Sequence, residues 1–256
     1  VIPPGVDLSR FRPPRDDEPR PAIADVLDRF LADPDKPLVV ALARPDERKN
    51  LTALVRAYAR SDMLRERTNL AILAGTRENI ATMGKQPRRV LTELLLLIDE
   101  HDLYGKVAYP KQHRPEDVPE LYRWVARTGG VFVNPALTEP FGLTLIEAAA
   151  SGVPIVATHD GGPRDIVKAC RNGILIDPFD DASITDAIEE IVGDREKWSS
   201  MSRSGIEAAH RIYGWGGHVD RLVNEIRRVH LGSRPRTETT TAAPERLKRA
   251  ERAIVI

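Results

Sequence analysis

The chain has 256 residues, enough for one large domain or for one domain with an appendage. Lys plus Arg and Asp plus Glu both number 38, so the formal net charge is zero and nothing favours nucleic acid or an anionic membrane as a partner. Cys170 is the single cysteine, which excludes an intrachain disulfide and fits a reducing, cytoplasmic compartment.

The chain opens on Val1, with no Met and no leader-like segment, and reads as excised from a longer protein. Residues 1–37 are rich in proline and charge. Val1 to Asp7 is extended with a turn at Pro4 and Gly5, and Ile23 to Leu31 is a short amphipathic helix. Asp33 and Asp35 flank Pro34 and read as a stiffened surface turn rather than a metal-binding pair.

From Leu38 onward, strands and helices alternate. Leu38 to Ala43 is a buried strand, then Leu51 to Arg60 a helix; Asn69 to Ala74 is the next strand. The helix Arg89 to Glu100, the strand Lys106 to Tyr109 and the helix Asp117 to Ala126 follow. After these come the strand Gly130 to Val133, the helix Leu145 to Ala150 and the strand Pro154 to Thr158. The helix Arg164 to Cys170 and the strand Gly173 to Ile176 complete the series. Such alternation predicts an α/β fold, a Rossmann-like parallel sheet with helices on both faces. Ligands then sit beyond the C-terminal ends of the strands.

Asp180 or Asp181 caps a helix to Val192, and Arg195 to Ala209 is another. Trp215 to Val229 is amphipathic, with Leu222, Val223, Ile226 and Val229 apolar. Gly232 to Ala243 has the composition of a disordered linker, and Arg252 to Ile256 reads as the start of a strand. No apolar run approaches the roughly 20 residues of a membrane span.

One stretch organises the rest. A turn with Pro140 and Gly142 separates the strand ending at Val133 from the helix that begins near Thr144. The unpaired N–H groups and positive dipole end of that helix suit a phosphate, and Gly142 lets a ligand approach the backbone. Glu139 stays on the loop while Glu147 lies on the helix, so the two carboxylates flank whatever binds there. Carboxylates accept hydrogen bonds from sugar hydroxyls. The implied ligand has phosphate in the middle and sugar on each side.

The run Glu139-Pro-Phe-Gly-Leu-Thr144 with Glu147 resembles the donor-site motif of retaining GT-B glycosyltransferases of the sucrose synthase and glycogen synthase type. Ala43 to Thr52, Tyr104 to Lys111 and Gly161 to Ile166 carry the same resemblance, and within the family the chain looks like the bacterial sucrose-phosphate synthases. It implies the C-terminal, donor-binding half of a GT-B enzyme, with the acceptor-binding N-terminal half absent. The organisation it implies is a linker and short helix over 1–37 and a nucleotide-sugar-binding domain over 38–230. A flexible linker over 231–250 and the start of a truncated, phosphatase-like domain over 251–256 follow.

The activity implied is transfer of glucose from UDP-glucose or ADP-glucose to fructose 6-phosphate, with retention, giving sucrose 6-phosphate. No metal or cofactor is implied, and the fragment alone is expected to transfer no sugar. A related transferase with another acceptor, or a nucleotide-sugar-binding module without activity, are the competing readings.

By resemblance, Arg44 and Lys49 hold the donor diphosphate. Each cation–phosphate pairing at about 4 Å contributes roughly 4 kcal/mol at an effective dielectric of about 20, before desolvation. Glu139 then contacts the transferred sugar and Glu147 the ribose. Phe141, Gly142, Leu143 and Thr144 offer backbone N–H groups, and Lys111 lies near the base. His113 reads as a surface residue and His159 as part of a turn beside Gly161. Two carboxylates invite a double-displacement mechanism. With Glu147 assigned to the ribose, front-face attack with the leaving phosphate taking the acceptor proton is the implied route.

Overall fold

The computed structural model describes residues 5–232. The expectations for Val1 to Pro4, for the linker beyond Gly232 and for the strand at Arg252 to Ile256 lie outside the described residues. Contacts divide the chain into two compact units, Val1–Val219 and Asp220–Ile256.

The first unit is built on six parallel strands, β1 (Leu38–Leu42), β2 (Asn69–Leu73), β3 (Val107–Ala108), β4 (Val131–Asn134), β5 (Ile155–Thr158) and β6 (Gly173–Ile176). Their order in the sheet is β3-β2-β1-β4-β5-β6. Val40 pairs with Ala71 on one side and Phe132 on the other, which sets the register of the central strand. The order reverses between β1 and β4, and that reversal opens a crevice at their C-terminal ends.

The helices are α1 (Ala22–Asp28), α2 (Leu51–Ala59), α3 (Asp62–Arg67), α4 (Lys85–Glu100) and α5 (Asp117–Thr128). After β4 come α6 (Leu143–Ala150), α7 (Pro163–Cys170), α8 (Asp181–Val192), α9 (Arg195–Ala208) and α10 (Trp215–Gly232). Side chains alternate across the sheet, as a strand requires. Val39, Ala41, Leu70 and Ile72 join the apolar cluster that includes α2, α4 and α8. Leu38, Val40, Ala71, Leu73 and Phe132 join the opposite cluster, with α1, α5 and α6. Burial on both faces explains why these strands read as unbroken apolar runs. Gly130, just before β4, is needed for close approach: a Cβ there would lie 2.1 Å from the Leu38 carbonyl oxygen.

Local chemistry sets the helix ends. Asp180, rather than Asp181, caps α8, accepting from Ala182 N–H at 2.9 Å. Asp194 caps α9 from Lys197 N–H at 2.9 Å. α4 starts a turn earlier than the apolar pattern predicts, because Pro87 is accommodated in the first turn. α3 was not expected; Ser61 starts it by accepting from Leu64 N–H at 3.0 Å. α9 runs into a π-helical turn, Ala209–Tyr213, whose last carbonyl accepts from Val6 N–H at 2.7 Å.

In the second unit, Leu222, Ile226 and Val229 are exposed, and Arg228 pairs with Glu225 at 3.0 Å. Among the described residues no helix is long and apolar enough to cross a membrane.

Candidate functional site

The loop after β1 is stiffened by its own side chains. Asp46 accepts from Arg48 N–H at 2.9 Å, capping the short 3-10 turn Glu47–Lys49. The Arg48 guanidinium grips the same carboxylate at 2.8 Å and, with that N–H, lowers the Asp46 pKa to about 2. Arg48 is thereby committed to the loop. Lys49 turns inward instead, its Nζ lying 2.7 Å from Glu139 Oε2.

Glu139 is fixed from below as well. Asn134, the last residue of β4, donates from Nδ2 to the same oxygen at 3.1 Å. The Glu139 backbone is bonded across the loop, its N–H to the Asp160 carbonyl at 3.2 Å and its carbonyl from Gly162 N–H at 2.9 Å. Gly161 leaves room for this: a Cβ there would lie 2.2 Å from the Glu139 carbonyl oxygen. Burial works to raise the Glu139 pKa, but Lys49 and Asn134 outweigh it and hold the carboxyl below its usual value. Glu139 is ionised at neutral pH.

Beyond this pair, Gly142 takes φ 90° and leads into α6 without a side-chain cap. The first N–H groups of the helix to find carbonyls are those of Leu145 and Ile146, both on Gly142 O, at 3.0 and 3.3 Å. The N–H groups of Leu143 and Thr144 have no backbone partner among the described residues. The fully buried Tyr122 steadies this turn by donating its hydroxyl to the Thr144 carbonyl at 3.2 Å. A cleft of ≈ 280 Å³ results, walled by Leu42 and Ala43 at the end of β1, by Asn134, and by Lys49, Glu139, Phe141, Gly142, Leu143 and Thr144. It lies at the reversal of strand order.

Glu147 is one turn further along α6. It is half-buried, outside the cleft wall, and its carboxylate has no hydrogen bond among the described residues. Burial pushes its pKa up to about 7, against a weak opposing pull from Arg10.

The other sequence-derived candidates fall around this centre. Arg44 is exposed, one residue beyond Ala43 of the wall. Lys111 is exposed on the β3–α5 loop and lines a separate hollow beside His113. His113 is half-buried rather than on the surface, in a hollow it shares with Ile23, Val26 and Phe30, and burial depresses its pKa. His159 is exposed, with Nδ1 2.8 Å from the Ile176 carbonyl oxygen, as a turn residue.

Three residues were missed. Asn134 carries the only signal a sequence offers, a polar residue closing an apolar strand. Asn50 reveals itself only through its left-handed backbone, φ 52°. Arg77 is 6% exposed and spans the loop after β3, donating to Tyr109 O and Pro110 O at 2.9 Å each.

Residues 25–208 match the family of glycosyl transferases group 1. The chain is 46% identical over 249 residues to the probable sucrose-phosphate synthase 5 of Oryza sativa subsp. japonica, covering 88% of this chain and 24% of that protein. It is 44% identical over 238 residues to the sucrose-phosphate synthase of Spinacia oleracea, covering 88% and 22%. The chain thus spans about a quarter of the length of these curated relatives. Among solved structures, the sucrose-phosphate synthase of Thermosynechococcus elongatus superposes with a TM-score of 0.70 at 27% identity, over 91% of this chain and 53% of that one. Anabaena HepE, solved with UDP and glucose, shares the fold with a TM-score of 0.69 at 18% identity, over 87% and 55%.

Proposed function

The chain belongs to the glycosyl transferases of group 1, and on that premise we propose that it is the donor-binding portion of a sucrose-phosphate synthase-type hexosyltransferase. The whole enzyme moves glucose from UDP-glucose or ADP-glucose to fructose 6-phosphate with retention, in the cytoplasm. The observation that carries this reading is the Lys49–Glu139–Asn134 cluster facing the uncapped start of α6.

The donor diphosphate lies between Lys49 and the free N–H groups of Leu143 and Thr144, with Arg44 at the mouth. As the glycosidic bond breaks, charge accumulates on the leaving phosphate, and these fixed donors stabilise it without reorganising. Glu139, ionised and immobile, receives sugar hydroxyls. Glu147 receives the ribose hydroxyls, which supply the hydrogen bonds its carboxylate lacks. Phe141 adds wall, its backbone N–H being spent on the Glu139 carboxylate, and Lys111 approaches the base.

The acceptor is positioned by sequence outside these residues, and such positioning can supply roughly 7–11 kcal/mol of the barrier. Two measurements test the reading. Calorimetry of the 256 residues with UDP, without added magnesium, is expected to show binding; no heat at millimolar nucleotide overturns it. The full-length enzyme is expected to use fructose 6-phosphate in strong preference to fructose, and the 256-residue segment alone to form no sucrose 6-phosphate.

A further inference from the structure

Asn50 stands between Lys49 and α2 in the left-handed region, φ 52° and ψ 33°. Glycine adopts that conformation freely, so a side chain there calls for a reason. The Asn50 side chain does not cap α2. Its amide instead donates twice, to the Pro135 carbonyl at 3.1 Å and to the Pro178 carbonyl at 2.8 Å. Pro135 follows Asn134 at the end of β4, and Pro178 lies between β6 and α8. One amide therefore joins the loops at the C-terminal ends of β1, β4 and β6. A second tie runs alongside it, from Leu137 N–H to the Arg48 carbonyl at 2.9 Å. Lys49 sits between these two anchors. The chemistry requires two donors on one short side chain; asparagine has them, serine has one, and an ionised aspartate has none.

We propose that Asn50 is a positioning residue that holds Lys49 in the cleft, against Glu139 and against the diphosphate of a bound nucleotide. The ligand half of this statement rests on the donor-binding reading; the Glu139 half does not. Asn50 acts through Lys49 and touches no ligand itself.

The variant Asn50→Gly keeps the backbone conformation and removes the amide. Calorimetry with UDP is expected to show affinity about tenfold lower, and Asn50→Gly combined with Lys49→Met to bind no more than about twofold worse than Lys49→Met alone, since coupled residues do not add. Without ligand, NMR titration of the Glu139 carboxyl is expected to shift upward in Asn50→Gly, towards the value in Lys49→Met. Losses that multiply in the double variant, or a Glu139 titration that does not move, overturn the proposal. If wild-type protein binds no UDP, the donor reading fails and the Glu139 titration alone decides the role of Asn50. Asn50→Asp, close in shape and without the donors, repeats the titration should the glycine variant not fold. Loss of the native fold in both variants assigns Asn50 to the fold rather than to Lys49 and overturns the proposal.

Discussion

Glu139 and Glu147 come from one short stretch of sequence and end in opposite electrostatic states. Glu139 is half-buried and answered, by Lys49 at 2.7 Å and Asn134 at 3.1 Å, and its pKa is lowered. Glu147 is half-buried and unanswered, and its pKa is pushed to about 7. The difference teaches that burial alone does not set the charge of a carboxylate; hydrogen-bond partners do. It also divides labour. The loop carboxylate is a finished part, while the helix carboxylate is held in a costly state that a ligand's hydroxyls would relieve.

Breaking the answered pair gives the largest expected effect. On the donor-binding reading, Lys49→Met removes a phosphate partner and leaves Glu139 half-buried without its cation, facing the same anion, so UDP affinity is expected to fall by about 100-fold, roughly 2.7 kcal/mol. Calorimetry measures it, and a loss under about tenfold would break the comparison.

Relieving the unanswered carboxylate comes next. The folded-state pKa of Glu147 is raised, so the native state holds a proton that the unfolded state releases, and stability declines as pH rises from about 4.5 to about 7. Glu147→Gln is expected to remove that decline and to stabilise the free protein at pH ~8 by about 2 kcal/mol, allowing for partial solvent screening. Thermal melts of both proteins across that range measure it.

The same group sharpens the comparison in binding. If ribose hydroxyls bond Glu147 as proposed, they favour its ionised form, so UDP affinity is expected to rise by roughly fivefold to tenfold between pH ~6 and ~8, and to lose that dependence in Glu147→Gln. The smallest effect on binding belongs to Glu139→Gln, which keeps an acceptor for Lys49. UDP affinity is expected to stay within about threefold, while turnover of the full-length enzyme falls.

The sheet was legible because its strands are apolar runs bounded by turn residues, and each helix that follows one carries an amphipathic pattern. The motif at Glu139 was legible as family resemblance and as a strand–turn–helix pattern. α3 escaped because six residues are too short for a periodic signal. The pairing of Lys49 with Glu139 joins residues far apart in sequence, and no local pattern encodes it. The isolation of Glu147 is equally hidden, since it depends on what packs around α6 rather than on α6 itself. Asn50 and Arg77 act through side-chain bonds to loop carbonyls, which leave no trace in hydrophobic periodicity.

The reversal of strand order has a consequence for how the chain is made. β1 pairs with β2, close in sequence, and with β4, which is synthesised only after α2 to α5. Long-range pairing is slow, and domains assemble from the N-terminus as they emerge. The β4-facing edge of β1 therefore waits as an open row of backbone donors and acceptors, a template for association with other chains. The floor of the cleft is thus a seam whose second strand emerges only after those of the β1–β2 and β2–β3 seams. Pulsed amide exchange during refolding is expected to protect the β1–β2 bonds before those between β1 and β4.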